Sequence, residues 1–352
     1  MPMMSCIETG RFPSWVGNTG ADTDVVLSTR VRLARNLRDR QFPLAASLQE
    51  RTSVFGEVSS ALRALPAWHD NTLVNFCGLP VVQQQFLVEE RVASPDLLRI
   101  EGDRGLMCDA EHRLSVMINE EDHLRIQGLD SGRCADQVWT ALDGLDTGLG
   151  RQVGYAFDNR KGFLTSCPTN SGTGLRVSFL LHLPGCVLTK TIEQVLQGAS
   201  HLGMCIRGFF GEHSEVVGSF FQMSNQATLG AREEEVVAAT QSAVQQIIGF
   251  ERTARGRLLS EAAVEIDDKI FRAYGILQYA RRLDVRDFLT TCSALRLGIV
   301  QQRLPGVTLD LLNRIMLQGL PAHMQVSVGK DMSDEEMDVA RAELVRRLLK
   351  GY

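Results

Sequence analysis

The sequence predicts an α+β protein: a sheet of short strands with a few helices around it, followed by a helical C-terminal domain. Two observations carry this reading. Up to about Leu229 the chain alternates apolar and polar residues in short runs broken by Gly, Pro and Asn turns. Beyond Arg232 the apolar spacing becomes helical almost to the end. The length of 352 residues suits roughly two domains. We therefore expect an N-terminal extension over 1–20, a sheet-bearing domain over 21–252 and a helical domain over 253–352.

Composition narrows the function classes. Apolar residues make up 44% and charged residues 22%, the mix of a soluble protein with a sizeable core. A formal net charge of -5 argues against general nucleic-acid binding, so any anionic ligand must be held by a local cluster of arginines. The eight cysteines show no C-x-x-C pair and no zinc-like spacing, which points to free thiols in a reducing compartment. No apolar run approaches a membrane span, and Val177–Leu188 is interrupted by His182 and Pro184. A cytoplasmic protein, with neither membrane nor nucleic acid as a direct partner, is the expectation.

The first strand signal is Asp24–Asn36, DVVLSTRVRLARN. Alternation puts Val25, Leu27, Val31 and Leu33 on one face and Ser28, Arg30 and Arg32 on the other. Arginine's planar fork suits phosphate, so such a face can build an anion site; a solvated strand face with surface arginines is the alternative. The device recurs. Arg125 stands between Leu124 and Ile126. Arg176 and Ser178 oppose Leu175, Val177, Phe179 and Leu181, and Arg207 follows Met204-Cys205-Ile206 into a glycine-flanked loop. Together these arginines suit a triphosphate and the charge that develops in phosphoryl transfer. There is neither a P-loop nor a Rossmann fingerprint.

Asn119-Glu120-Glu121-Asp122 joins two alternating runs, beside Arg125. A solvated turn would explain one or two acids. Three in succession suit a carboxylate that orients a guanidinium and takes its proton. Cys167 opens the turn-rich loop leading to Gly172-Thr173-Gly174, where a functional thiolate or a small buried hydrophobe are both open readings. His123 and His182 read as structural. Downstream, helices are expected over Glu233–Leu259, Glu261–Tyr279, Val285–Leu297 and Thr308–Leu317. A last one starts at the Ser333/Glu336 capping box and runs to about Lys350.

As a set, STRVRLARN, MINEEDHLRIQ, FLTSCPTNSGTGLR and RGFFGEHSE resemble the ATP:guanido phosphotransferase family of creatine and arginine kinases. Their order, with SNQATLG, is similar to the bacterial protein-arginine kinase branch, from about residue 22 to the C-terminus. The chain lacks room for the helical N-terminal domain of small-molecule phosphagen kinases and has a helical C-terminal one instead. The resemblance implies an antiparallel-sheet guanido-kinase catalytic domain acting on ATP with Mg²⁺. It implies nucleotide contacts from Ser28, Thr29, Arg30, Val31, Arg32, Arg91 and Arg125, from Arg176, Val177, Ser178, Phe179 and Leu180, and from Arg207, Gly208, Phe209, Phe210, Gly211 and Glu212. Glu121 would be the catalytic base, Glu212 a second carboxylate on the guanidinium, and Cys167 an active-site thiol.

The same resemblance implies protein substrates with exposed arginines, marked for a Clp-type protease in a stress response. A heat-shock repressor, an activator protein and a homodimer belong to the same expectation. Three positions depart from the branch. Arg91 replaces a histidine, His213 a glycine, and Met337 the first arginine of an Arg-Asp-x-x-Arg-Ala motif whose Asp338 and Arg341 remain as candidates for an allosteric phosphoarginine site. A kinase for free arginine, or a non-catalytic adaptor for arginine or phosphoarginine, are the alternative functions.

Overall fold

The computed structural model describes residues 11–208 and 217–350. Its centre is an eight-stranded sheet of order β2-β3-β4-β5-β1-β8-β10-β9, in which every neighbouring pair is antiparallel. The strands are β1 (Val26–Arg35), β2 (Thr72–Asn75), β3 (Gly105–Cys108), β4 (Leu114–Ile118), β5 (Leu124–Ser131), β8 (Leu175–His182), β9 (Met204–Gly208) and β10 (Phe220–Asn225). A small hairpin, β6 (Phe157–Asp158) with β7 (Gly162–Phe163), stands apart from the sheet.

Alternation decides which face is buried against what. Val31 and Leu33 of β1, and Leu175, Val177, Phe179 and Leu181 of β8, point into one apolar cluster. Over this face lie α1 (Leu48–Ala64), α3 (Ala135–Val153), α5 (Ile192–His201) and α6 (Glu233–Glu261), which contribute among others Val54, Leu142, Val195 and Ile247. Two further helices, α2 (Val81–Glu89) and α4 (Pro184–Leu188), flank the sheet. The opposite face carries the arginines, and the C-terminal helices cover part of it. These are α7 (Ala263–Tyr279), α8 (Val285–Val300), α9 (Leu309–Gln318), α10 (Pro321–Val328) and α11 (Asp334–Leu348).

One face assignment needs correction. The register of β1 with β8 slips by one residue between Val26 and Ser28. Leu27 therefore leaves the Val31 face and joins Leu180 and Phe220 in a second apolar cluster with Phe288, Leu295 and Ile315. A bulge adds one residue and so re-aims a side chain, which strict alternation does not anticipate.

The expected helices are present with shifted ends, and Ser333 caps α11, its hydroxyl accepting from Glu336 N. The short α10, with Pro321 in its first turn, has no counterpart among the expected helices. The expected boundary at 252/253 falls inside α6, which runs unbroken for 29 residues. No helix among the described residues is long and apolar enough to cross a membrane.

Candidate active site

On β1 and its neighbours the polar side chains line up in rows. Arg32 sits directly opposite Arg176 of β8 and Gln127 of β5; Arg30 sits opposite Ser178. Gln222 of β10 pairs with Leu180 on one side and Arg207 on the other, which sets Arg207 on the same face. Arg30 Nη2 donates to Gln222 Oε1 at 3.3 Å, and Ser178 Oγ donates to the Arg30 carbonyl at 3.3 Å. Arg91, arriving from the end of α2, donates to Ser28 Oγ at 2.7 Å and lies 5.2 Å over the Trp15 ring.

The result is a concentrated positive field. Burial first, then the charges of Arg91, Arg125 and Arg176, hold the Arg30 guanidinium well below its usual range. Burial together with Arg30, Arg125 and Arg176 does the same to Arg32, against which the Glu120 carboxylate acts. Burial and Arg32 bring Arg91 down to about 10. Arg30 Nε and Arg32 Nε are buried without a hydrogen-bond partner. Like charges crowded with unused donors are costly alone and well matched to a polyanion.

The acidic turn divides its labour. Glu120, fully buried, receives Arg125 Nη1, Ser94 Oγ at 2.5 Å and Glu121 N at 2.9 Å. It is the partner that holds Arg125 in place. Glu121 stays partly exposed and accepts from Arg125 Nη2 at only 3.3 Å. Burial raises the pKa of Glu121; Arg125 opposes the rise, and Asp122, Glu120 and Asp96 add to it. A carboxylate raised this way, beside a bank of arginines, suits a general base.

Asp122 faces the other way. Its Oδ1 accepts from Asn36 Nδ2 and from Ser166 N, each at 2.6 Å. The second of these clips the Cys167 loop onto the acidic turn, one residue before the cysteine. Cys167 Sγ lies 2.9 Å from Thr169 Oγ1. Gly174 has φ +64, and a Cβ there would lie 2.6 Å from Ala34 O, so the loop closes on β1 only because residue 174 is glycine. Asn225, from SNQATLG, completes the frame by accepting from Val177 N at 2.7 Å and donating to Leu175 O at 3.0 Å.

Several expected nucleotide contacts lie elsewhere. Thr29, Val31, Val177 and Phe179 are wholly buried. Val31, Val177 and Phe179 belong to the core face, and Thr29 Oγ1 donates to Gly132 O. Leu180 is buried in the second cluster, against the C-terminal helices. The side chains of Thr29, Val31, Val177 and Phe179 hold the strands from the other side of the sheet, and Leu180, on the same face as Arg176 and Ser178, is covered by the C-terminal helices, a correction to the expected side-chain contacts. Gly208 ends β9. Phe209, Phe210, Gly211, Glu212 and His213 lie outside the described residues.

Asp338 and Arg341 also depart from expectation. Arg341 is 1% exposed and donates to Asp338 Oδ1 at 3.0 Å, to Leu283 O at 2.5 Å and to Gly319 O at 2.7 Å. Asp338 also accepts from Arg282 Nε at 3.1 Å. The pair is an internal brace joining α11 to the segment between α7 and α8 and to the end of α9, neither a surface ion pair nor a free anion fork. A cavity of about 330 Å³ lies between α2, α10 and α11, lined in part by Phe86, His323, Leu344 and Arg347, and away from the arginine rows.

His123 and His182 are structural. His123 Nδ1 accepts from Leu37 N at 3.1 Å and Nε2 donates to Gln41 O at 3.0 Å, while burial pushes its pKa down to about 4. His182 Nε2 pairs with Ser293 Oγ at 2.8 Å. Sequence reasoning missed Arg35, which is buried, pairs with Asp146 at 2.8 Å and stacks over Phe163 at 3.5 Å. It also missed the tie from Asn36 to Asp122. Both residues stand in the STRVRLARN run, where alternation gives no sign of a partner so distant in sequence. Among the described residues no group of three or more His, Cys, Asp or Glu side chains is placed to hold a metal ion.

Two family models match the chain. Residues 53–254 match the C-terminal catalytic domain of ATP:guanido phosphotransferases, and residues 263–352 match the C-terminal domain of the protein-arginine kinase McsB. The chain is 39% identical to the protein-arginine kinase of Halalkalibacterium halodurans over 338 residues, 96% of this chain and 95% of that one. It is 38% identical to that of Moorella thermoacetica, over 97% and 98% of the two chains. In fold it is similar to a crystal structure of lombricine kinase, with TM-score 0.60, 24% identity and 74% and 75% of the chains covered. It is similar, too, to the duplicated taurocyamine kinase of Schistosoma mansoni, with TM-score 0.61, 23% identity and 82% and 43% covered.

Proposed function

The chain belongs to the ATP:guanido phosphotransferase family and is an ATP-dependent phosphotransferase; from that premise we propose that it phosphorylates arginine side chains of proteins at the arginine face of the sheet. The observation that carries this reading is the row Arg32–Arg176, with Arg30 and Arg91 beside it, facing a turn on which Arg125 and Glu121 are already paired. The similarity of nearly the whole chain to protein-arginine kinases supports protein as the acceptor.

In this reading the ATP phosphates lie against Arg30, Arg32, Arg91, Arg125, Arg176 and Arg207, with Ser28 and Ser178 between them. ATP is delivered as its Mg²⁺ complex, the ion carried by phosphate oxygens as part of the substrate. Glu121 aligns the acceptor guanidinium. One of its nitrogens attacks the γ-phosphorus, a P–N bond forms, the bond to the β-phosphate oxygen breaks, and the proton passes to Glu121 as ADP leaves. The arginines meet the charge that spreads over the phosphoryl oxygens, in fixed positions that need no rearrangement. Cys167, clipped beside Glu121 by the Ser166–Asp122 bond, faces the guanidinium end. Glu212 is proposed as its second carboxylate.

The wider expectations belong to the same proposal: a cytoplasmic enzyme, active as a homodimer, that marks proteins for a Clp-type protease under stress and answers to an activator protein. Similarity of the helical C-terminal part to that of protein-arginine kinases supports them. Incubation with Mg·ATP and an unfolded protein, followed by mass mapping, should give acid-labile phosphate on arginine. Turnover on free L-arginine with none on protein would replace this reading with a small-molecule kinase.

A further inference from the structure

Three consecutive residues at the end of α2 are each held by a different part of the molecule. Glu89 is gripped by the start of α10: Ala322 N and His323 N donate to its carboxylate at 2.9 Å each, and His323 Nδ1 lies 2.8 Å from Oε2. Glu90 places Oε2 2.5 Å from His112 Nδ1 and Oε1 3.6 Å from His323 Nε2, while its carbonyl accepts from Trp15 Nε1 at 2.9 Å. Arg91 follows with φ +67, its carbonyl taking Gln127 Nε2 at 2.7 Å and its guanidinium reaching Ser28 in the arginine face. His323 itself stacks on Phe86 of α2 at 4.1 Å.

A non-glycine residue in the left-handed region persists only where its surroundings over-determine it. Arg91 also carries its charge toward Arg32, which repels it. The bond to Ser28 Oγ, the contact with the Trp15 ring and the Gln127 donor work against both costs, but they do not fix the backbone that leads into Arg91. The anchors on Glu89 and Glu90 do, and the one reaching furthest is His323, more than two hundred residues away in the chain and inside the helical C-terminal part.

We infer that His323 is a positioning residue for nucleotide binding: through Glu89 and Glu90 it sets Arg91 against Ser28, so that the helical C-terminal part completes the phosphate clamp. The inference rests on the proposed ATP site at the arginine face. Without that site, the same contacts would be mere glue between two packed parts.

The test compares the full-length protein with His323→Ala, Glu89→Gln, Arg91→Ala and the double variant Arg91→Ala/His323→Ala. Arg282→Ala serves as control, since it removes the exposed ion pair to Asp338 elsewhere in the helical part. ATP binding is titrated directly, and KM for ATP is read against kcat on an unfolded protein substrate, with folding checked by circular dichroism. Arg91→Ala should raise KM for ATP roughly tenfold, the scale of one lost charge-assisted hydrogen bond, with a smaller change in kcat. His323→Ala and Glu89→Gln should raise KM in the same direction, and Arg282→Ala should not. The double variant should be no worse than Arg91→Ala alone, because His323 acts only through that arginine.

A His323→Ala protein that melts earlier but keeps the wild-type KM for ATP overturns the inference, as does a double variant in which the two effects multiply. If His323→Ala does not fold, Glu89→Gln decides the matter, since its single amide oxygen can keep one of the two α10 N–H donors while the carboxylate that faces His323 is lost. Failure of the wild-type protein to bind ATP would sink the site reading itself. Wild-type binding with unchanged variants sinks only the role of His323.

Discussion

At the scale of single residues, the acidic turn separates two glutamates that a sequence presents as equals. Glu120 is spent on Arg125 and Ser94, whereas Glu121 is exposed enough to meet a substrate and has its pKa raised by burial. Glu121→Gln should abolish phosphoarginine formation while leaving ATP binding near wild type, measured by mass mapping and by nucleotide titration. The pH dependence follows in sign. A base must be deprotonated, so kcat should fall as pH drops through the Glu121 value, which burial raises from that of an ordinary glutamate; a limb that survives in Glu121→Gln belongs to another group. Arg32 offers the complementary experiment. It is partly buried, repelled by its neighbours, and its Nε has no partner. Arg32→Met should therefore stabilise the protein by about 1 kcal/mol in urea melts while costing ATP binding, the trade expected where function stores strain. Much of this was legible beforehand, because the side-chain period of a strand fixed Ser28, Arg30 and Arg32 on one face. The roles within Asn119–Asp122 were not, because hydrogen bonds to Ser94, Asn36 and Ser166 join residues that no local pattern relates.

Among the elements, the helices were legible where their apolar spacing is long and capped, as at α11. Alternation failed at Leu27, where one inserted residue moved a side chain to the other face of the sheet, and spacing missed the short α10 altogether. Both misses bear on the site, since Leu27 and α10 are where the helical part meets the sheet. In α11 the Asp338/Arg341 pair, three residues apart on one helix, is a buried brace. Removing one partner of a buried pair leaves an uncompensated charge, so Arg341→Ala should cost about 3–5 kcal/mol in denaturant melts. At the α2–α10 junction the titrating groups are Glu89 and Glu90 from α2, His112 from the turn before β4, and His323 from α10. Burial lowers the pKa of His323, yet the hydrogen bond to Glu89 and the nearby Glu90 carboxylate prevail and leave it raised. A raised folded-state value means the junction contributes fully below about 6.5, the unfolded value of histidine, and loses that stability as pH climbs through the raised one. His323→Gln should flatten this limb of the stability–pH curve measured by thermal melting.

For the whole molecule the decisive fact is that one apolar cluster spans both parts: Leu27, Leu180 and Phe220 of the sheet pack with Phe288, Leu295, Ile315 and Val345 of the C-terminal helices. The helix α6 likewise runs from the sheet core to the first of those helices without a linker. Parts that share a core and a continuous helix lose their stability together, so thermal unfolding should be a single transition despite the two family models that divide the chain. That transition should also respond as one to a ligand bound on the sheet alone. Against a net charge of -5, the arginine face is a local reversal of sign, and ATP is expected to bind the folded state and not the unfolded chain. At a hundred times its dissociation constant a ligand of this kind adds about 2.7 kcal/mol, worth several degrees of melting temperature for a chain of this size. Mg·ATP should move the entire calorimetric transition upward in the wild type and leave Arg32→Met unmoved. Two resolved transitions, with only the lower or only the upper shifted by nucleotide, would show that the helical part folds independently of the sheet and that the shared cluster does not couple them.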